Sequence, residues 1–416
     1  MVDFKISYKN IDLELINKIL NKNKKEINEI NSTLINETSL NITKETNDIL
    51  EINEIAKNFI KEKDHIVVLG IGGSNLGAKA LLNILQGKYN KKIIFLDNID
   101  PEEFNNSIAK IELNKTGFVI ISKSGQTPET LSQFTSLIEI FMSQNNIQKL
   151  SENSIIITEN NDNPLKKIAN KINCKTLDHN KNIGGRYSVF SSVGLLPAAL
   201  ANLDILKIRQ GALKIFSKLE NESFDQHLIG AAIINYLHKN MSINLNVLIT
   251  YASSLFFFGK WYLQLWSESI GKENKGITPI HSVGVTDQHS QLQLYLDGPK
   301  DKFFSLLTTD YRDQGPKMHN QTLEENNLNF LVGKKMGDLM FAEQKSTMET
   351  LINKKLPLRE IFCAKINEFT IGQLMAYFIM ETVATCHFVG VNPFNQPAVE
   401  YGKKLTKNYL LQSKKS

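Results

Sequence analysis

Four short stretches constrain the fold more than anything else in this chain: His65–Gly70, Lys92–Leu96, Gly117–Ile121 and Ser154–Thr158. Each is continuously apolar and rich in β-branched residues rather than alternating, the pattern of parallel strands covered on both faces. Stretches with helical spacing separate them, Leu76–Leu85 and Glu129–Phe141 among them. Alternating strand and helix predicts a doubly wound α/β domain.

A second set follows. Leu245–Tyr251 and Lys302–Thr308 read as strands, Phe330-Leu331-Val332-Gly333 as a further candidate, and Asp204–Asn240 and Thr370–Phe388 carry long helical patterns. Residues 1–62 hold no Gly or Pro and repeat apolar residues at helical spacing (Ile16, Ile19, Leu20; Ile52, Ile55, Phe59). The expected architecture is therefore α/β, with two doubly wound parallel sheets. Its parts are a helical N-terminal segment over 1–62, a first α/β domain over 63–203, a second over 204–405 and a short C-terminal tail over 406–416.

A length of 416 residues is comfortable for two cores. The formal charge of +5 is too diffuse for a nucleic-acid surface but favours small anionic ligands. Cys174, Cys363 and Cys386 lie far apart without metal-ligand spacing, which fits free thiols in a reducing compartment. The first nine residues carry Asp3, Lys5 and Lys9 and no apolar core, and no stretch reads as a membrane span. The expectation is a cytoplasmic protein that binds neither membrane nor nucleic acid.

In open α/β sheets, ligands sit beyond the carboxyl ends of the strands. Two loops there are suited to an anion. Gly70-Ile71-Gly72-Gly73-Ser74-Asn75-Leu76-Gly77 leaves a strand and opens a helix, so its amides can approach a phosphate. Ser122-Lys123-Ser124-Gly125-Gln126-Thr127-Pro128 does the same, with Thr127 expected as N-cap and Pro128 as first helical residue. Three hydroxyls and the Lys123 ammonium would converge on that helix end. A structural tight turn and a solvated, capped turn are the plainer readings.

Four further segments carry reactive groups. Gly184-Gly185 precedes Arg186, a permanent cation able to stabilise an oxyanion, although most arginines form surface ion pairs. Gln264 and Glu268, four apart, share a helix face beside Trp266. A partly desolvated carboxylate there would be a stronger base. His289 lies in the polar loop Thr286–Leu294, and Gln396 and Lys403, seven apart around Pro397, are expected on one face.

Taken in order, Gly70–Gly77, Ser122–Thr130, Gly184–Gly194, Glu268–Lys272, Gln288–Leu294 and Asn395–Lys403 resemble the glucose-6-phosphate isomerase family over about residues 65–405. The resemblance implies two sugar-isomerase (SIS) domains, a sugar-phosphate substrate, no metal or other cofactor, and a homodimer with shared active sites. It implies Glu268 as the base working between C1 and C2, Arg186 as the enediolate stabiliser, and His289 and Lys403 as the ring-opening pair. Ser122, Lys123, Ser124 and Thr127 would hold the phosphate with Gly73, Ser74 and Gln396, and Gln264 would contact substrate. The sequence departs from the family pattern at Asn75, Gln126 and Ala398. Other readings are an isomerase that also accepts mannose 6-phosphate, a non-catalytic sugar-phosphate sensor, and a dinucleotide-binding oxidoreductase using Asp97.

Overall fold

The protein is described by a computed structural model covering residues 3–85, 92–220 and 225–412. Among the described residues, ten strands form two five-stranded sheets. They are β1 (Phe4–Lys9), β2 (His65–Leu69), β3 (Lys92–Leu96), β4 (Thr116–Ile121), β5 (Ser154–Thr158), β6 (Lys175–Asp178), β7 (Leu245–Thr250), β8 (Thr278–Val283), β9 (Lys302–Thr309) and β10 (Leu358–Cys363). The first sheet runs β3-β2-β4-β5-β6 and is parallel throughout. The second runs β1-β10-β9-β7-β8 and is parallel except for β1. Every residue of β4, β5 and β9 is buried, as expected of central parallel strands, the polar Lys302, Ser305, Thr308 and Thr309 of β9 included.

The N-terminal segment departs from the all-helical expectation. Its helices exist, and Ile16, Leu20, Ile52 and Ile55 are buried on their inner faces. Before them, however, β1 pairs antiparallel with β10, Phe4 opposite Cys363 and Lys9 opposite Leu358, so this segment also supplies an edge strand of the second sheet. Phe330–Gly333 is not a strand. Asn329–Leu331 is a 3-10 turn, and Phe330 is 72% exposed. Asp204–Asn240 divides into helices Ile205–Glu220 and Gln226–Met241, with 221–224 outside the described residues. The expected tail is an exposed helix, Glu400–Gln412, and 413–416 lie outside the described residues.

The helix Glu368–Val389 is long and apolar enough to cross a membrane, although the sequence reading found no span. It is instead the central core helix, with 94% of its most apolar window buried, packed on the helices Ile205–Glu220, Gln226–Met241 and Phe256–Ile270. One charge is buried with it. Glu381, fully buried, takes both terminal nitrogens of fully buried Arg359 from β10, with Nη2 to Oε1 at 2.7 Å. Arg359 Nε donates to Ser305 Oγ of β9 at 2.9 Å, so sheet and helix are joined through one satisfied charge pair.

Candidate active site

The turns after β2 and β6 pack on the helix Phe256–Ile270, and Lys123 of the loop after β4 reaches the Lys181 carbonyl of the loop after β6. The first glycine loop is a 3-10 turn, Gly72–Ser74, packed backbone to backbone on the turn Gly185–Phe190. A Cβ on Gly73 would stand 2.3 Å from the Gly185 carbonyl carbon, and Gly72, at φ +57°, faces the Gln264 amide. Glycine is thus needed here for close approach. The turn in turn receives Ser188 Oγ on the Gly73 carbonyl at 3.1 Å.

Arg186 leaves that turn almost wholly buried, its side chain 2% exposed. Its Nη1 donates to Glu268 Oε2 at 3.3 Å and to Gln396 Oε1 at 2.9 Å. Its Nη2 donates to the carbonyls of Pro393 and Asn395, and its Nε to Ser269 Oγ at 2.8 Å. The other oxygen of Glu268 accepts from Gln264 Nε2 at 3.0 Å, which realises the four-residue spacing. Three segments far apart in sequence therefore converge on one carboxylate–guanidinium pair.

Glu268 does not sit in the apolar pocket expected beside Trp266. Trp266 is fully buried and donates its indole N–H to the Ile277 carbonyl, while the Glu268 side chain is 35% exposed and held by a cation and an amide. Lys272 closes the same helix end, its Nζ on the Glu268 carbonyl at 2.9 Å. Burial, and then the nearby Arg186 cation, lower its pKa from the ordinary lysine value.

The second loop differs from expectation in two ways. The helix does begin at Pro128, but the Thr127 hydroxyl does not cap it; it bonds Ser122 Oγ at 2.8 Å. Thr127 makes no side-chain cap to the first-turn amides of the helix Pro128–Ser143, the kind of helix end that can take an anion. Lys123 does not point at that end. Its ammonium donates to the Lys181 carbonyl at 2.8 Å and lies 3.8 Å from Glu159. Ser124 is exposed and accepts from the Gln126 amide at 3.2 Å.

A cleft of about 970 Å³ separates Ser124, Gln126 and Thr127 from the helix Glu400–Gln412, which turns Lys403, Lys404 and Lys407 toward it. Lys403 pairs with Glu400 at 2.6 Å and does not share a face with Gln396, because the 3-10 turn Pro397–Val399 breaks the register between them. Gln396 instead lines a second opening of about 770 Å³ with Glu268, Lys272 and Asn395. His289 ends a 3-10 turn beyond β8, is exposed, and hydrogen-bonds to none of the described residues. Within one chain it is not brought to Glu268 and Arg186.

The residues that sequence reasoning missed are Ser269 and Tyr187, whose hydroxyls lie 2.8 Å apart against Arg186. Each stood inside a motif already singled out, directly beside the residue that motif was read for: Tyr187 next to Arg186 and Ser269 next to Glu268. Asp97, the acid a dinucleotide site would need, is taken by the Lys79 ammonium, which also lies over the rings of Phe95 and Phe257. Among the described residues, no three His, Cys, Asp or Glu side chains gather as metal ligands.

The family model described as phosphoglucose isomerase matches residues 38–416. A probable glucose-6-phosphate isomerase of Methanococcus maripaludis is 37% identical over 371 residues, covering 88% of this chain and 82% of that protein. The glucose-6-phosphate isomerase of Carboxydothermus hydrogenoformans is 36% identical over 382 residues, covering 86% and 81%. The crystal structure of a glucose-6-phosphate isomerase from Chlamydia trachomatis superposes with a TM-score of 0.85 over all of this chain and 89% of that one. At 20% identity, that match speaks for the fold alone. The chain belongs to the phosphoglucose isomerase family.

Proposed function

We propose that the protein is a glucose-6-phosphate isomerase, moving the carbonyl of the sugar phosphate between C1 and C2 through a cis-enediolate, as glycolysis and gluconeogenesis require. The observation that carries this reading is the Glu268–Arg186 contact, a base beside a permanent cation, open to a cleft. The relatives' names support the substrate. Shifting a carbonyl between neighbouring carbons needs a base that reaches both and a cation for the enediolate oxygens. Glu268 takes the proton from one carbon and returns it to the other, while Arg186 holds the developing charge. Gln264 and Gln396 orient the pair and the substrate hydroxyls.

The phosphate sits on the N-terminus of helix Pro128–Ser143, held by Ser122, Ser124 and Thr127, with Gly73 and Ser74 beside it. Lys123 contributes through its backbone position and net charge rather than a direct ammonium contact. Lys403 faces the cleft, and His289, exposed in the single chain, completes the ring-opening machinery from a second subunit. On this reading the active form is a homodimer with shared sites, and the compartment proposed for it is the cytoplasm.

Fructose 6-phosphate given to the purified chain with EDTA present tests the reading. Formation of glucose 6-phosphate insensitive to EDTA is expected. No turnover from a folded protein would favour a sugar-phosphate sensor, and loss of turnover with EDTA would contradict metal-free chemistry.

A further inference from the structure

The guanidinium of Arg186 is held from behind by two hydroxyls that take no part in the chemistry above. Ser269 Oγ accepts its Nε–H at 2.8 Å, and Tyr187 lies 2.8 Å from Ser269 and 3.0 Å from the Pro393 carbonyl. The proton order follows from the acceptors. Pro393 O has no proton to give, so the Tyr187 hydroxyl donates to it. The phenol oxygen is then free to accept from Ser269, whose own oxygen accepts from Arg186. One direction, Arg186 to Ser269 to Tyr187 to Pro393, satisfies every group.

The same tyrosine supports the cation a second way. Its ring lies under the guanidinium, 5.0 Å from ring centre to Cζ, and packs on Phe394 at 5.6 Å. Ser269 is fully buried and Tyr187 is 1% exposed, so water does not replace a hydroxyl once removed. Burial also holds the Tyr187 phenol well above the ordinary tyrosine range, which keeps it a donor. On the far side, the contact with Glu268 is long, at 3.3 Å. The cation is therefore held by neutral oxygens rather than by the carboxylate, with Gln396, Pro393 and Asn395 on its terminal nitrogens and the Ser269–Tyr187 pair fixing its Nε side.

We infer that Ser269 and Tyr187 are positioning residues that act as one unit to fix the Arg186 guanidinium for turnover, an inference resting on Arg186 as the enediolate stabiliser. Electrostatic stabilisation depends on donors already in place, and a displacement of about 1 Å costs about a hundredfold in rate. Substrate affinity, set at the phosphate loop, is separate from it.

The test is kcat and KM for fructose 6-phosphate in the full chain carrying Tyr187→Phe, Ser269→Ala, both together, and Arg186→Ala, with the unfolding temperature of each. Each hydroxyl variant is expected to lose about ten- to a hundredfold in kcat while KM moves by less than about threefold. The double variant should be no worse than about the poorer single, because either change breaks the same chain. Unaltered kcat in both singles beside an inactive Arg186→Ala overturns the inference. So do losses that multiply in the double variant, or a lowered unfolding temperature with full kcat well below it. Wild-type turnover in Arg186→Ala would instead overturn the role of Arg186 itself, so the two failures are distinguishable.

Discussion

Two arginines in this protein are almost equally buried and each meets a glutamate, yet they are built to opposite ends. Arg359 closes its fork on Glu381, both fully buried, with Ser305 taking Nε. Nothing of that pair is left for a ligand. Arg186 is equally withdrawn, but its glutamate is 35% exposed, touched by only one nitrogen at 3.3 Å, with its other oxygen on a neutral amide. Most of its fork is satisfied by neutral oxygens, those of Ser269, Gln396, Pro393 and Asn395. The difference teaches what separates a structural ion pair from a reactive one. In the core, the charges are spent on each other; at the site, the cation is held by carbonyls and hydroxyls so that its charge remains available.

Breaking each pair should separate the two roles. Glu268→Gln keeps shape and is expected to lower kcat by about a thousandfold or more, with little change in KM and an unaltered unfolding temperature. Steady-state kinetics with thermal unfolding on the same sample would show it; near-normal turnover would make Glu268 an ordinary helix-end carboxylate. Glu381→Gln should do the reverse. It leaves Arg359 buried without its countercharge and is expected to cost about 3–5 kcal/mol of stability in denaturant unfolding. The protein that remains folded should keep its kcat.

Smaller effects sharpen the contrast between anchoring by hydroxyls and by charge. Thr127→Val removes the hydroxyl paired with Ser122 and should raise KM for fructose 6-phosphate by about tenfold with kcat largely kept. Lys123→Ala should raise it by less than about threefold, because the ammonium is already engaged by Lys181 and Glu159 and adds only long-range charge. A larger effect at Lys123 than at Thr127 would reverse the assignment of the phosphate contacts.

How much of this was legible depended on whether one residue's environment sat close to it in sequence. The central strands β2, β4 and β5 were, since their apolar runs stand alone as evidence of burial on both faces. β10 was not: Leu358-Arg359-Glu360-Ile361 looks like an exposed charged stretch until Glu381, twenty-two residues on, appears as the partner of Arg359. β8 contains Pro279 and His281, and β1 alternates like an edge strand, which is what pairing on one side makes it. Phe330–Gly333 failed for the opposite reason, an apolar run that covers nothing.

At the site, Gln264 and Glu268 were readable because helix periodicity alone brings them together. Gly73 was legible as a residue needing close approach, but its neighbour proved to be Gly185, which no spacing could give. The Thr127 side chain was misjudged because the same sequence serves an N-cap and a ligand loop; only the Ser122 hydroxyl decides between them. Gln396 reaches Arg186 across 210 residues, a contact that belongs to the fold rather than to any motif.

The central claim is that Glu268 moves a proton between C2 and C1 while Arg186 carries the enediolate charge. Converting fructose 6-phosphate to glucose 6-phosphate in heavy water, and reading the product by NMR, addresses it most directly. A base that exchanges with solvent during the enediolate's lifetime predicts deuterium at C2 of glucose 6-phosphate, and loss of both turnover and label in Glu268→Gln. Protium retained at C2 would mean that Glu268 returns the same proton before it exchanges, whereas a Glu268→Gln variant that still turns over and labels C2 would contradict the account.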